Sequence, residues 1–272
     1  MEYELIIEPG RAERNYWRDL WHFRELLYFL AQRDLLVRYK QTIIGVAWAL
    51  IRPALTMAVF VAFRRMSKLP PSDVPDAIIV FAALLPWQFF STALTEASNS
   101  LIGNANLISK VYFPRLLVPA GAVVTSLVDF GVTLGLLAVL MLGYRFAPGW
   151  QILALAPLVI LTFGLSMGAG LLLAALNVKY RDFRYIVPFI VQFGLFVSPI
   201  AFETRAVPER WRMLLSLNPM TGIIDGFRWA ILRGHTPLNS TTLGLSFAVT
   251  SLFLILGIWH FRRTERSFAD VI

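Results

Sequence analysis

The chain of 272 residues alternates long apolar windows with short polar and charged ones. Crossing the ~30 Å hydrocarbon core of a bilayer takes about 20 apolar residues at a rise of ~1.5 Å each. Six windows approach that length. They run from about Ile43 to Phe63, interrupted by Arg52-Pro53; from about Ala77 to Glu96; from about Leu116 to Leu142, with Asp129 inside; through the uncharged stretch Phe146 to Val178; through the 18 residues between Arg184 and Glu203; and from about Leu243 to Phe261. This pattern predicts an all-α integral membrane protein with six transmembrane helices. An even number puts both termini on one side.

Two further segments are apolar but do not read as spans. Between Trp17 and Leu35 the residues Trp17, Leu20, Trp21, Leu27, Tyr28, Ala31 and Leu35 fall near helical spacing, interleaved with Arg18, Arg24, Glu25, Arg33 and Asp34. That is the pattern of an amphipathic interface helix, lying either in the membrane surface or against a soluble partner. Pro208 to Leu217 and Met220 to Leu232 predict two short helices divided by Asn218-Pro219, since proline cannot continue a helix. Asp225, Arg228 and a length near 13 residues argue against a span. A short re-entrant or surface hairpin fits better, and any part that enters the membrane must be covered by protein or water.

Composition agrees with the membrane reading: 57% of residues are hydrophobic and 15% charged, against roughly 25% charged in a soluble domain. The net charge of +8 therefore reads as loop topology and headgroup attraction, with no nucleic acid implied. Lys and Arg densities on the two sides are close. Arg33, Arg38 and Lys40, then Lys179, Arg181 and Arg184, then Arg262, Arg263 and Arg266 abut spans on the side of the termini, which favours cytoplasmic termini, while Arg64 and Arg65 point the other way. No stretch before residue 42 resembles a secretory signal, so the N-terminus is expected to be mature.

Candidate chemistry is sparse. The chain has no cysteine, hence no disulfide or thiolate site, and no G-x-x-x-x-G-K-[ST] loop to cradle nucleotide phosphates. His22, His235 and His260 are far apart in sequence and offer no metal site. Arg52 stands one helical turn from Trp48, and a charge there tends to face a bundle interior or wet cavity. It would meet an anionic or hydroxyl-rich substrate, or an internal partner such as Asp129 or Glu96. Tyr185, Phe189, Phe193 and Phe196 recur at helical spacing with Gln192 beside them. Such rings stack on the C–H faces of sugars, or simply pack in a core and an interfacial aromatic belt. Gly164-x-x-x-Gly168 and Ser166-x-x-x-Gly170 predict close helix packing.

Several strings together resemble the permease subunit of ABC-2-type polysaccharide exporters, in feel the Wzm-like permeases for lipid-linked O-antigen or teichoic acid. They are Arg38-Tyr39-Lys40-Gln41-Thr42 leading into Gly45-Val46-Ala47-Trp48-Ala49-Leu50 and Pro53; Leu107-Ile108-Ser109-Lys110-Val111-Tyr112-Phe113-Pro114-Arg115; Asn177-Val178-Lys179-Tyr180-Arg181-Asp182; Ser198-Pro199-Ile200; Asn218-Pro219-Met220; and Phe261-Arg262-Arg263. The strings cover nearly the whole chain in order.

The resemblance implies an N-terminal cytoplasmic segment over residues 1–42 and a six-helix transmembrane domain over 43–272 in the bacterial cytoplasmic (inner) membrane. It implies a homodimer with a channel at its axis, surrounded by membrane lipids, and two copies of a separate ATPase. That partner would bind ATP and Mg; no cofactor is expected in this chain. A coupling-helix loop falls at about 98–114 and gate helices at about 204–235. By position, Asn106, Lys110, Tyr112, Phe113 and Arg115 belong to the ATPase-docking region and the start of the next span. Trp48, Arg52, Phe189, Phe193 and Phe196 are placed in the channel or lateral gate, and Arg205, Arg210, Trp211, Asp225 and Arg228 in the gate region. The expected activity is export of a lipid-linked, O-antigen-like polysaccharide. Alternatives are another cargo (capsule, teichoic acid, drug or lipid) or an intramembrane enzyme on lipid-linked sugars with Asp129 or Glu96 as base.

Overall fold

The computed structural model describes residues 16–40, 45–66 and 73–268, which form helices and turns with no strand among the described residues. Residues 1–15, 41–44, 67–72 and 269–272 lie outside them, and with them Gln41 and Thr42 of the first family string and the start of the first expected span. The helices are α1 (Tyr16–His22), α2 (Arg24–Lys40), α3 (Gly45–Met66), α4 (Asp76–Gly103), α5 (Ala105–Lys110), α6 (Leu117–Gly143), α7 (Leu155–Lys179), α8 (Phe183–Val197), α9 (Glu209–Ser216), α10 (Pro219–Ile231) and α11 (Ser240–Thr264). A 3-10 turn, Trp150–Ala154, leads into α7.

Five segments are long and apolar enough to cross a membrane: Ala47–Met66, Asp76–Gly103, Leu117–Gly143, Trp150–Lys179 and Ser240–Ser267. The window expected as the fifth of six spans departs from this. Its helix, α8, has 15 residues, or ~22 Å of rise, short of the hydrocarbon core. Pro199 is the reason: it disfavours helical geometry at the residue before it, and Ser198 is extended at φ −80° and ψ 147°. Residues 98–103 of the region expected to hold the coupling loop belong to α4.

α4 is the central element, buried without a break from Ala77 to Trp87, with α3, α6, α7, α8 and α10 packed around it. A chain of rings ties three of these together: Phe89 and Phe130 have centroids 5.4 Å apart, and Phe130 and Phe227 6.3 Å. The small-residue motifs on α7 do what their spacing predicts. A Cβ on Gly168 would sit 2.5 Å from the backbone nitrogen of Leu254, and one on Gly257 only 2.1 Å from the Gly168 carbonyl, so α7 and α11 meet backbone to backbone. On another face of α7, a Cβ on Gly170 would lie 2.8 Å from the Cβ of Ala97 in α4.

The N-terminal helix is two helices, broken at Phe23, and its apolar residues divide between two faces instead of forming one stripe. Leu30 and Ala31 are buried against α6 at Gly121, whereas Trp17, Trp21, Tyr28 and Phe29 are exposed. The hairpin between α8 and α11 follows its expected division. Pro219 opens α10, where its missing N–H has no partner to lose, and Asn218 Oδ1 accepts from the Met220 N–H at 3.0 Å. α10 is buried along nearly its whole length against α4, α7 and α11, which satisfies the requirement that such a segment be covered by protein.

Candidate functional site

The termini of the long helices gather at two ends of the bundle. At the first end, Arg38 of α2 donates to Glu96 Oε1 of α4 at 2.7 Å and to Asp129 of α6, and the Tyr39 hydroxyl donates to the other oxygen of Asp129. Burial, reinforced by the bond to Asp129, pushes the Tyr39 phenol up to about 12. Arg33 reaches Asn104 Oδ1 at 2.7 Å, the residue that opens α5. α2 thus holds α4, α6 and the turn into α5 together. These carboxylates are not partners of Arg52, as one reading of the sequence had it. Arg38 takes both, and Arg52 lies on the exposed face of α3, with no side-chain ion pair among the described residues.

The docking-region residues separate into two groups. Asn106, Lys110 and Tyr112 are exposed on α5 and the turn after it. Phe113 points the other way, into a core with Leu117, Phe261 and Phe268. Arg115 is also engaged: its backbone N–H donates to Glu265 Oε1 at 2.6 Å and its guanidinium to the Glu265 carbonyl. The Tyr16 hydroxyl donates to Glu265 Oε2 at 2.9 Å, and burial together with the adjacent carboxylate raises its phenol well above the ordinary range. The C-terminal turn therefore fastens α1 and the start of α6 behind the exposed α5.

The opposite end carries a buried ionic network. Arg228 of α10 is only 2% exposed and donates to the carbonyls of Ile200 at 2.8 Å and Phe202 at 2.9 Å, pinning the turn after α8. The Thr204 hydroxyl donates to Asp225 Oδ2 at 2.7 Å. Arg64, also buried, is 2.8 Å from Asp76 Oδ1 and 3.7 Å from Glu203 Oε1. Arg64 is thus a structural ion rather than a loop charge, which removes half of the pair that spoke against cytoplasmic termini. Of the five expected gate residues, Asp225 and Arg228 belong to this network. Arg205, Arg210 and Trp211 lie on the surface, with the Arg210 guanidinium 5.9 Å from the Trp211 ring centre.

The expected channel rings are all on outward faces. Trp48 shares the exposed side of α3 with Ile51, Leu55 and Val59, while Phe189, Phe193 and Phe196 are exposed along α8. Phe189 and Phe193 stack at 5.9 Å with planes 10° apart. α8 closes on α4 at Gly194, whose Cβ position lies 2.6 Å from the Trp87 ring. The sequence reading missed Arg38, Tyr39, Glu265, Asp76 and Glu203. The first three had a visible trace, since each stands at a helix end with oppositely charged or hydroxyl-bearing residues elsewhere left without a partner. The link of Asp76 and Glu203 to Arg64 is long-range and leaves none.

The described residues thus form a bundle of apolar helices with an exposed helical turn at one end and a buried ionic network at the other. The chain belongs to the ABC-2 type transporter family, which it matches over residues 25–232, from α2 to the end of α10. It is 28% identical over 259 residues to the O-antigen export system permease protein RfbA of Myxococcus xanthus, covering 94% of this chain and 98% of that protein. A Klebsiella pneumoniae protein of the same name is 26% identical over 261 residues, covering 93% and 97%. The inner membrane transport permease YadH of Escherichia coli K12 is more distant, at 24% over 186 residues, or 65% of this chain and 69% of that one.

Proposed function

We propose that this chain is the permease subunit of an ATP-driven exporter that moves a lipid-linked, O-antigen-like polysaccharide across the bacterial inner membrane. The observation that carries the reading is the end-to-end similarity to proteins named for O-antigen export, which takes in nearly all of both chains. The sequence carries no phosphate-cradling loop, which is consistent with ATP binding and hydrolysis in a separate subunit. That ATPase, holding ATP and Mg, docks on α5 through Asn106, Lys110 and Tyr112, with Phe113 and Arg115 as the anchors behind it.

In the working protein both termini face the cytoplasm. α8 and the turn after it complete a sixth, thinner crossing, and two copies of the chain enclose the channel with the exposed faces of α3 and α8. Trp48, Phe189, Phe193 and Phe196 then offer rings to sugar C–H faces, and Arg52 a cation to an anionic lipid linkage. Nucleotide binding shifts the permease between closed and open states because the ATPase has different affinity for each. The turn held by Asp225 and Arg228 is the part of the far end that such a shift rearranges.

The test is reconstitution of the permease with its ATPase in proteoliposomes loaded with lipid-linked polysaccharide. ATP-dependent delivery of glycan to the opposite face is the expected result. ATP turnover with no glycan moved, or with movement of a small hydrophobic molecule instead, would overturn the reading.

A further inference from the structure

The outward faces of α3, α8 and α11 are mostly apolar, with Val59 and Phe63, Phe189 and Phe193, and Phe247 and Ile255 exposed, and with Arg52 and Gln192 as polar exceptions. α4 is different. Between Ala77 and Leu101 the residues of α4 that reach the surface are Phe90 and the polar Gln88, Ser91, Thr92, Thr95, Glu96 and Asn99. The spacings of the six polar ones, three, one, three, one and three, put them on a single stripe of the helix, while Ala93, Leu94 and Ala97 on the other side are buried. Lipid does not cover such a stripe. An amide or carboxylate facing hydrocarbon is expensive, so residues of this kind face protein, water or a polar ligand.

The hydrogen bonds add a chemical direction. The Ser91 hydroxyl donates to the Gln88 carbonyl at 3.1 Å, the Thr95 hydroxyl to the Ser91 carbonyl at 2.8 Å, and the Asn99 amide to the Thr95 carbonyl at 2.9 Å. These donors are spent on the helix itself, which leaves the hydroxyl oxygens of Ser91 and Thr95 as acceptors, while Asn99 Oδ1 already accepts from the Asn177 amide of α7 at 3.2 Å. Gln88 Oε1 is buried with no hydrogen-bond partner, so it is not one of the outward acceptors. At the first end, Glu96 presents a carboxylate beside Arg38. Outward hydroxyl oxygens suit a ligand rich in O–H donors, and the aromatic faces of α3 and α8, two of the helices packed on α4, suit the apolar faces of the same ligand.

We infer that this α4 stripe is a polysaccharide-binding wall, accepting hydrogen bonds from sugar hydroxyls as the chain passes. The inference rests on the proposed function and names the surface that would recognise the cargo. Its occupant is a hydroxyl-rich glycan, not an acyl chain and not the second copy of the protein.

Because the chain has no cysteine, single cysteines can be placed at 88, 91, 92, 95 and 99, at buried positions 93, 94 and 97, and at lipid-facing Val139 and Ile255. The complete permease–ATPase complex, in proteoliposomes, is treated with a charged thiol reagent. It is tested alone, with lipid-linked polysaccharide extracted from the source cells, and with that glycan released from its lipid. The stripe positions should react about tenfold faster than the buried and lipid-facing ones, and either form of the glycan should slow them. Labelling at the stripe no faster than at 93, 94 and 97 would mean that lipid or the second copy covers it, and would overturn the inference. So would fast labelling that glycan leaves unchanged while export proceeds. Fast, unprotected labelling with no export would overturn the inference and the export reading together.

Discussion

Replacing Arg228 by methionine keeps the length of the side chain and removes the charge and both donors. The carbonyls of Ile200 and Phe202 then lose their partners, at 2.8 and 2.9 Å, in a place where Ile200 is itself fully buried. Each orphaned acceptor costs about 1–3 kcal/mol, and Asp225 loses the nearest cation. The sum agrees with the roughly 3–5 kcal/mol that breaking a buried pair removes. For a chain of this size that is a fall in Tm of roughly 10 °C. Arg228→Lys should fall between, because one ammonium cannot reproduce a planar fork that serves two carbonyls. The assay is thermal unfolding of the detergent-solubilised protein, paired with limited proteolysis of the turn at 198–208. The turn should be cut faster in Arg228→Met while α7 and α11 stay intact. An unchanged Tm together with unchanged cleavage would refute the assignment of Arg228 as the pin of this turn.

Gly257→Ala should sharply reduce the yield of folded protein, read by size-exclusion chromatography, because its Cβ falls 2.1 Å from the Gly168 carbonyl. Gly131→Ala and Gly135→Ala, whose Cβ positions meet nothing within 4 Å, should be neutral or add about 0.5–1 kcal/mol. Phe113→Ala should lower stability by about 3–5 kcal/mol by emptying a buried site, seen as a lower Tm. Tyr112→Ala should leave Tm alone and instead reduce stimulation of the partner's ATP hydrolysis. Arg38→Ala should loosen α2, exposing its buried face at Leu30 and Ala31 to faster hydrogen exchange, while Arg52→Ala should not change that exchange.

The spans were legible in the sequence because 20 apolar residues in a row have few other uses. The Asn218-Pro219 break and the α7 glycines were legible because they act locally. α8 came out short for a reason equally present in the string Ser198-Pro199, but hydropathy weighs those residues only for polarity and not for the backbone geometry that proline imposes on its neighbour. Phe113 looked like part of a docking surface because its neighbours Lys110 and Tyr112 are exposed. Only the tertiary contact with Phe261 and Phe268, some 150 residues on in the chain, turns it inward. The α4 stripe was readable at spacings of three and four, yet it lay inside a window whose mean hydropathy hid it.

Two of the ionic clusters in so apolar a chain are anchored on one helix. α4 contributes Asp76 to the network at one end and Glu96 to the cluster at the other, and each accepts from an arginine of an earlier helix, Arg64 of α3 and Arg38 of α2. Twenty residues separate the two carboxylates, or ~30 Å along the axis, the thickness of the hydrocarbon core. One rigid element thus joins the end where α5 is exposed to the end where Arg228 holds the turn after α8. Midway between the carboxylates stands Pro86, which removes a backbone hydrogen bond inside the helix, with Trp87 beside it pressed onto Gly194 of α8. Pro86 is therefore the point along α4 where the helix loses one of its own hydrogen bonds, and it lies next to the contact with α8. The polar stripe begins two residues further on, at Gln88, so a glycan bound as proposed would first meet α4 beside that proline.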